Sequence, residues 1–271
     1  MLADLSRASA HARWEMASGV TNPGHVFTPT DITAISAILD VATATFVAGD
    51  ASSVPDLLNS NPAVQTVAAR RPTLELAANG LPCLRFATND VLSWPITAQS
   101  AGGTSQAGWG LWVKLNAASS TQSLVNIAAV TGGADGTKLR MGTSVATVIC
   151  RASPDGAALK TNTTGSVLDT GWHFITLEYD STQGTDAGKL VVTVDGTSLG
   201  SITGAATLGA LFAATGNILI GNLSDSASPA GPLNGLIGPQ IYSFASKTAG
   251  ATTGLLSTSE RTSLMNYRKP T

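Results

Sequence analysis

The stretch that decides the fold comprises WHFITLEYD (Trp172–Asp180) and KLVVTVDG (Lys189–Gly196). Ile175, Leu177 and Tyr179 alternate with Thr176, Glu178 and Asp180. That two-residue period predicts a strand with one apolar and one wet face. Val192 and Val194 alternate with Thr193 and Asp195 in the same way, and Asp195-Gly196 is a strong hairpin turn signal. Two further short strands follow, NILIGN (Asn217–Asn222) and GLIGPQIYSFA (Gly235–Ala245). The pattern then changes in LSTSERTSLMNYR (Leu256–Arg268), where Ser257 and Glu260 have the spacing of a capping box ahead of Leu264 and Tyr267. A short helix is expected there.

Working upstream, LELAANGLPCLRF (Leu74–Phe86) has two apolar arms around an Asn79-Gly80 turn. Trp109–Leu115 is a strand, and Ser123–Val130 leads through a Gly132–Gly136 turn into LRMGTSVATVIC (Leu139–Cys150). Turns recur at the rhythm of a sandwich or jelly roll. Ile32, Ile35, Ile38 and Leu39 fit either a helical turn or an irregular first strand. Residues 1–26 stand apart as an arm: Leu2, Leu5, Ala8, Ala12 and Met16 form a weak amphipathic pattern that Gly19, Asn22, Pro23 and Gly24 end. The arm reads as a disordered terminus or a docking segment, and Trp14 favours docking because a free tail makes poor use of its apolar surface.

The 271 residues suffice for a large core, with 43% hydrophobic but only 12% charged residues. The charged share is about half of the usual ~25%. Two explanations fit: an alanine-rich genome, or a surface covered by neighbours. A net charge of −2 supplies no electrostatic drive toward nucleic acid. No run of apolar residues is long enough to span a membrane, and the N-terminus lacks a signal-peptide pattern, so synthesis in the cytoplasm without standard export is expected. Cys83 and Cys150 sit in apolar strand-like runs without a CxxC or Cys/His cluster, which predicts buried free thiols rather than zinc ligands.

In their order, WHFITLEYD, the VDG hairpin, ILIGN and GLIGPQIYSF resemble the concanavalin A-like lectin/glucanase superfamily, in its laminin-G-like branch. RPTLELAANGLPCLRFATNDVLSW (Arg71–Trp94) looks like the N-terminal half of such a domain, with an RPT loop, NGLP turn and LRF strand similar to versions from bacteriophage and prophage genomes. FTPTDITAISAILD (Phe27–Asp40) looks like the opening strand, although Ile38 stands where a Trp is usual. The resemblance spans about residues 27–267. It implies an all-β fold, an antiparallel jelly-roll β-sandwich over residues 27–271, with the arm before it and a C-terminal helix.

The resemblance further implies a non-enzymatic bacteriophage structural protein located in the virion, as a capsid decoration, head fibre or tail appendage. Its partners would be other virion proteins, further copies of itself and a host-surface glycan. A lectin-like module outside a virion is the alternative, and a glycoside hydrolase the second alternative. Hydrolysis needs paired carboxylates, about 5–5.5 Å apart for retention. The nearest pair is Glu178 and Asp180, with no third acid and no aromatic platform beside them. They read as a solvated strand face. His173, after Trp172, reads as a packing and turn residue, and no GxSxG, P-loop or HExxH motif occurs. Laminin-G-like domains often bind Ca²⁺ at a sandwich rim, and Asn89, Asp90, Asp135 and Asp225 are loop oxygens of the right kind. Core packing is the expectation for Trp109 and Trp172, whereas Trp94, next to Pro95 at a strand end, is the candidate rim contact for a glycan.

Overall fold

The structure is a computed structural model; it describes residues 28–95, 104–117, 121–128, 137–153, 160–211, 217–223, 231–248 and 251–271. The chain divides into two units, Met1–Asp31 and Ile32–Thr271. In the first, the described residues form one turn, closed by the Thr28 N–H donating to the Asp31 carboxylate at 2.8 Å. The expected arm and its Trp14 lie outside the described residues.

The second unit is an antiparallel β-sandwich of eighteen strands among the described residues. Its first sheet runs β15 (Thr197–Leu199), β14 (Leu190–Val194), β13 (Trp172–Asp180), β8 (Gln106–Leu115), β18 (Gly235–Phe244) and β1 (Ile35–Asp40). The second runs β4 (Ala63–Val64), β7 (Leu92–Trp94), β17 (Ile218–Ile220), β9 (Thr121–Ala128), β10 (Thr137–Ser144), β11 (Thr147–Ala152), β12 (Lys160–Thr163) and β16 (Ser201–Thr203). At one end β2 (Thr45–Val47), β3 (Asp50–Val54), β5 (Thr73–Leu76) and β6 (Pro82–Phe86) join the sheets, β6 pairing with β18 and β3 with β4. The ambiguous run at Ile35–Leu39 is thus a strand, held in register with β18 from Phe244 to Gln240.

Alternation places the core between the sheets. Trp109, Leu111, Val113 and Leu115 of β8, Ile175, Leu177 and Tyr179 of β13, and Leu139 and Met141 of β10 point inward and are buried. Cys83 and Cys150 are buried free thiols, as their apolar runs predict. The Asp195-Gly196 turn joins β14 to β15 with φ of 51° and 79°, the left-handed pair that a two-residue hairpin needs. Asn79-Gly80 turns β5 into β6, with the Gly80 N–H donating to the Ala77 carbonyl at 2.8 Å and the Ala77 N–H to the Leu81 carbonyl at 2.9 Å.

The outer face of the first sheet departs from the sequence reading. Thr176, Glu178 and Asp180 were expected to be wet, yet all three are fully buried. Over Glu178 the covering layer is the segment 251–271, which contains the helix α2 (Thr258–Asn266), α1 being the single helical turn Asp186–Lys189 ahead of β14. Asp180 is instead closed in by Thr182, Gln183 and Gln106. Both arms of the capping box form: the Ser257 hydroxyl accepts from the Glu260 N–H at 3.3 Å, and the Glu260 carboxylate accepts from the Ser257 N–H at 2.7 Å. Beneath the segment, Trp112 packs on Phe174 with ring centroids 5.5 Å apart, and Phe174 on Tyr242 at 6.5 Å. Gly108 and Gly110 on β8 make room for the Phe244 ring, 3.2 and 3.1 Å from where a Cβ would stand. Lys269 lies over the Trp112 ring at 5.4 Å, and Arg268 grips both carboxylate oxygens of Asp40 at 2.9 and 2.8 Å.

Candidate functional site

The acid pair sits on the outer face of β13, where its chemistry is structural. Glu178 accepts from the backbone N–H groups of Leu255 at 2.7 Å and Leu256 at 2.9 Å. Arg261 of α2 binds it bidentately, Nε to Oε1 at 2.7 Å and Nη2 to Oε2 at 2.8 Å, and the Thr176 hydroxyl adds a contact at 3.1 Å. A carboxylate with both oxygens committed to fixed donors and no exposed surface presents nothing to a substrate. Asp180 is equally enclosed: it accepts from the Thr182 hydroxyl at 2.6 Å, the Gln183 amide at 2.8 Å and the Gln106 amide at 3.3 Å. Burial pushes its carboxyl up, but these donors outweigh burial and hold it below the usual carboxylate value.

Trp94 requires a correction. It is a fully buried core residue, on the same face of β7 as the buried Leu92, with its indole Nε1 donating to the Asn61 carbonyl at 3.0 Å. The neighbouring Pro95 suggests a rim, but strand parity turns the ring inward. A glycan cannot reach it in this fold.

Of the expected calcium residues, Asp135 and Asp225 lie outside the described residues. Asn89 and Asp90 occupy the turn between β6 and β7, where the Asp90 carboxylate accepts from the Ala87 N–H at 2.7 Å. Burial, with the Asp50 carboxylate adding to it, pushes the Asp90 carboxyl up to about 6. Among the described residues no group of three His, Cys, Asp or Glu side chains is placed to hold a metal ion. His173 bridges two acids at the entrance of β13, with Nδ1 2.8 Å from Asp195 and Nε2 3.1 Å from Asp169, and so ties the loop before β13 to the β14–β15 hairpin.

A basic row on the outer face of the second sheet was not singled out from the sequence. Leu139, Met141, Cys150 and Ala152 face the core, so Lys138, Arg140 and Arg151 face away from it. Arg140 stands directly opposite Arg151 on β11 and Asn126 on β9. Its guanidinium lies across Gly142, 3.2 Å from where a Cβ would be, a path that any side chain there would block. Lys138 is fully buried, and desolvation pulls its ammonium down to about 8. All of these polar side chains are engaged in interactions of their own. The alternation in TKLRMGTS and ICRAS carried the signal.

No family model matches the sequence, and no curated protein matches it. Solved structures share the fold. Trypanosoma rangeli sialidase in complex with sialic acid superposes with a TM-score of 0.56 at 15% identity, covering 97% of this chain and 39% of the sialidase. The protein of a structure on cell entry of botulinum neurotoxin type C, described there as dependent upon interaction with two ganglioside molecules, gives 0.56 at 9% identity, covering 89% of this chain and 53% of that one. The ligand-binding domain of botulinum neurotoxin serotype D with N-acetylneuraminic acid gives 0.51 at 9% identity, covering 87% and 52%. The chain therefore spans between two fifths and about half of these proteins. At such identities the likeness establishes the sandwich fold.

Proposed function

We propose that this chain is a non-enzymatic, laminin-G-like module of the concanavalin A-like superfamily, carried on a bacteriophage particle, where it contacts neighbouring virion proteins and reads a host-surface glycan. The observation that carries the glycan part is the antiparallel sandwich, shared at TM-scores of 0.51 to 0.56 with proteins whose structures are described with sialic acid, N-acetylneuraminic acid or gangliosides. The virion part rests on the likeness of the RPT, NGLP and LRF pieces to phage-borne domains. The enclosure of Glu178 and Asp180 favours binding over hydrolysis, because the acids nearest to a glycosidase pair are spent on holding α2 and the β13 end in place. Because the first sheet's outer face is occupied by the chain's own segment 251–271, and Lys138, Arg140 and Asn126 on the outer face of the second are buried as well, the glycan would sit on the loops at the rim of the sandwich.

Two measurements test the parts separately. A glycan array carrying sialylated, neutral and bacterial-surface glycans should show saturable binding of the purified chain to a defined glycan class. No binding to any class would sink the glycan reading. Peptide mass spectrometry of purified particles from the source culture should find the chain in many copies. Its absence from particles would leave a lectin-like module that works outside a virion.

A further inference from the structure

The chain contains two Asn-Gly dipeptides, Asn79-Gly80 and Asn234-Gly235, and the fold treats them in opposite ways. Asn-Gly is the sequence most prone to intramolecular imide formation, because glycine puts no side chain in the way of its own backbone nitrogen. Asn234 is held at several points: its N–H donates to Gln122 at 2.7 Å, its carbonyl accepts from the Asn116 N–H at 3.1 Å, and its side-chain oxygen accepts from the Asn116 amide at 2.8 Å. Gly235 pairs with both Phe86 and Leu115, and a Cβ there would overlap the Lys114 carbonyl. That peptide cannot rotate without breaking the junction of β6, β8 and β18. Asn79 and Gly80 are instead exposed in a three-residue turn. Gly80 has φ of +79°, and nothing lies within 4 Å of where its Cβ would stand. The one restraint on the attacking nitrogen is its hydrogen bond to the Ala77 carbonyl.

The Asn79 side chain also has a task. Its amide Nδ2 donates to the Lys269 carbonyl at 2.8 Å, and next to it the Ala78 N–H donates to a Thr271 oxygen at 2.7 Å. The β5–β6 turn therefore holds the last residues of the segment that covers Trp112, through an amide proton that only asparagine, not aspartate, supplies at neutral pH.

We infer that Asn79 is a site of spontaneous deamidation that loosens residues 268–271 from the β5–β6 turn. The Gly80 nitrogen gives its proton to hydroxide and attacks Cγ of Asn79. A Gly80 N–Cγ bond forms, the Cγ–Nδ2 bond breaks, and Nδ2 leaves as ammonia with a proton from water. Water then opens the cyclic imide at either carbonyl, leaving aspartate or isoaspartate at position 79. The net change is amide plus water to acid plus ammonia. The product is a carboxylate facing the Lys269 carbonyl, two acceptors with no proton between them, where a hydrogen bond had been.

The test uses the full chain, aged in mildly alkaline buffer and followed by peptide mass mapping. Conversion at Asn79 should outpace that at Asn234 by more than about tenfold, the ratio that about 1.4 kcal/mol of extra restraint at Asn234 produces. N79D should raise hydrogen exchange of the Arg268, Lys269 and Thr271 amides, and the aged wild type should match it in proportion to its converted fraction. N79Q, which keeps an amide but cannot close the same ring readily, should stay unconverted. Equal rates at the two sites, or no conversion at Asn79, would overturn the site assignment. Unchanged exchange at 268–271 in N79D would overturn the loosening.

Discussion

Arg261→Met is the substitution that probes the architecture most directly. It removes the guanidinium that holds both oxygens of Glu178 while keeping an apolar side chain of similar length at a buried position of α2. Glu178 would keep the N–H groups of Leu255 and Leu256 and the Thr176 hydroxyl, but its charge would lie buried without a counter-ion. Removing one partner of a buried pair typically costs about 3–5 kcal/mol. At about 2–4 °C per kcal/mol for a domain of this size, the melting temperature should fall by about 6–20 °C. Calorimetry reads the shift, and urea unfolding gives the free energy independently. The double variant E178L/R261M should lose less than the sum of the single variants, because the apolar pair leaves no charge stranded. A loss below about 1 kcal/mol in R261M, or strict additivity in the cycle, would refute the view that this pair fastens α2 to the sheet.

Gly108→Ala should destabilise the fold by about 1–3 kcal/mol in chemical denaturation, since the new methyl would overlap the Leu177 carbonyl and crowd the Phe244 ring. Asp180, whose folded-state carboxyl is held below its unfolded value, contributes stability that is present above about pH 3.9 and is lost as pH falls through the lower folded value. D180N should therefore flatten the acid limb of a stability–pH curve measured by urea unfolding, and an unchanged limb would contradict the hydrogen-bond assignment. Burial pushes the Cys83 thiol up to about 12 and the Cys150 thiol further still, so neither should react with a thiol reagent until denaturant is added. Rapid labelling of the native protein would contradict that burial.

Much of the sandwich was legible because its signals are local. The alternation in β13 and β14 and the Asp195-Gly196 turn state strand, face and connection within twenty-five residues, and Ser257 with Glu260 announces α2 by itself. The Val145-Ala146 connection between β10 and β11 was not legible. Val145 takes φ of 55°, a conformation against its β-branched preference, imposed by the ladder from Leu139–Ala152 to Ser144–Thr147. The burial of Glu178 was also hidden, because polarity at alternate positions looks the same whether water or a distant arginine satisfies it. Its partner lies 83 residues further on. Trp94 misled because its neighbour Pro95 outweighed the simpler Leu92-x-Trp94 alternation.

The covering segment also has a consequence for synthesis. A ribosome delivers β8, β13 and β18 before residues 251–271. For that interval Trp112, Phe174, Tyr242 and Phe244 form an uncovered aromatic surface, and Glu178, which meets Phe244 over Gly108, has no arginine to neutralise it. Nascent chains that expose such surface are prone to stick to one another. Any stop codon or protease cut just before residue 251 would make that interval permanent, so such fragments should collect in the insoluble fraction although every strand of the sandwich is present.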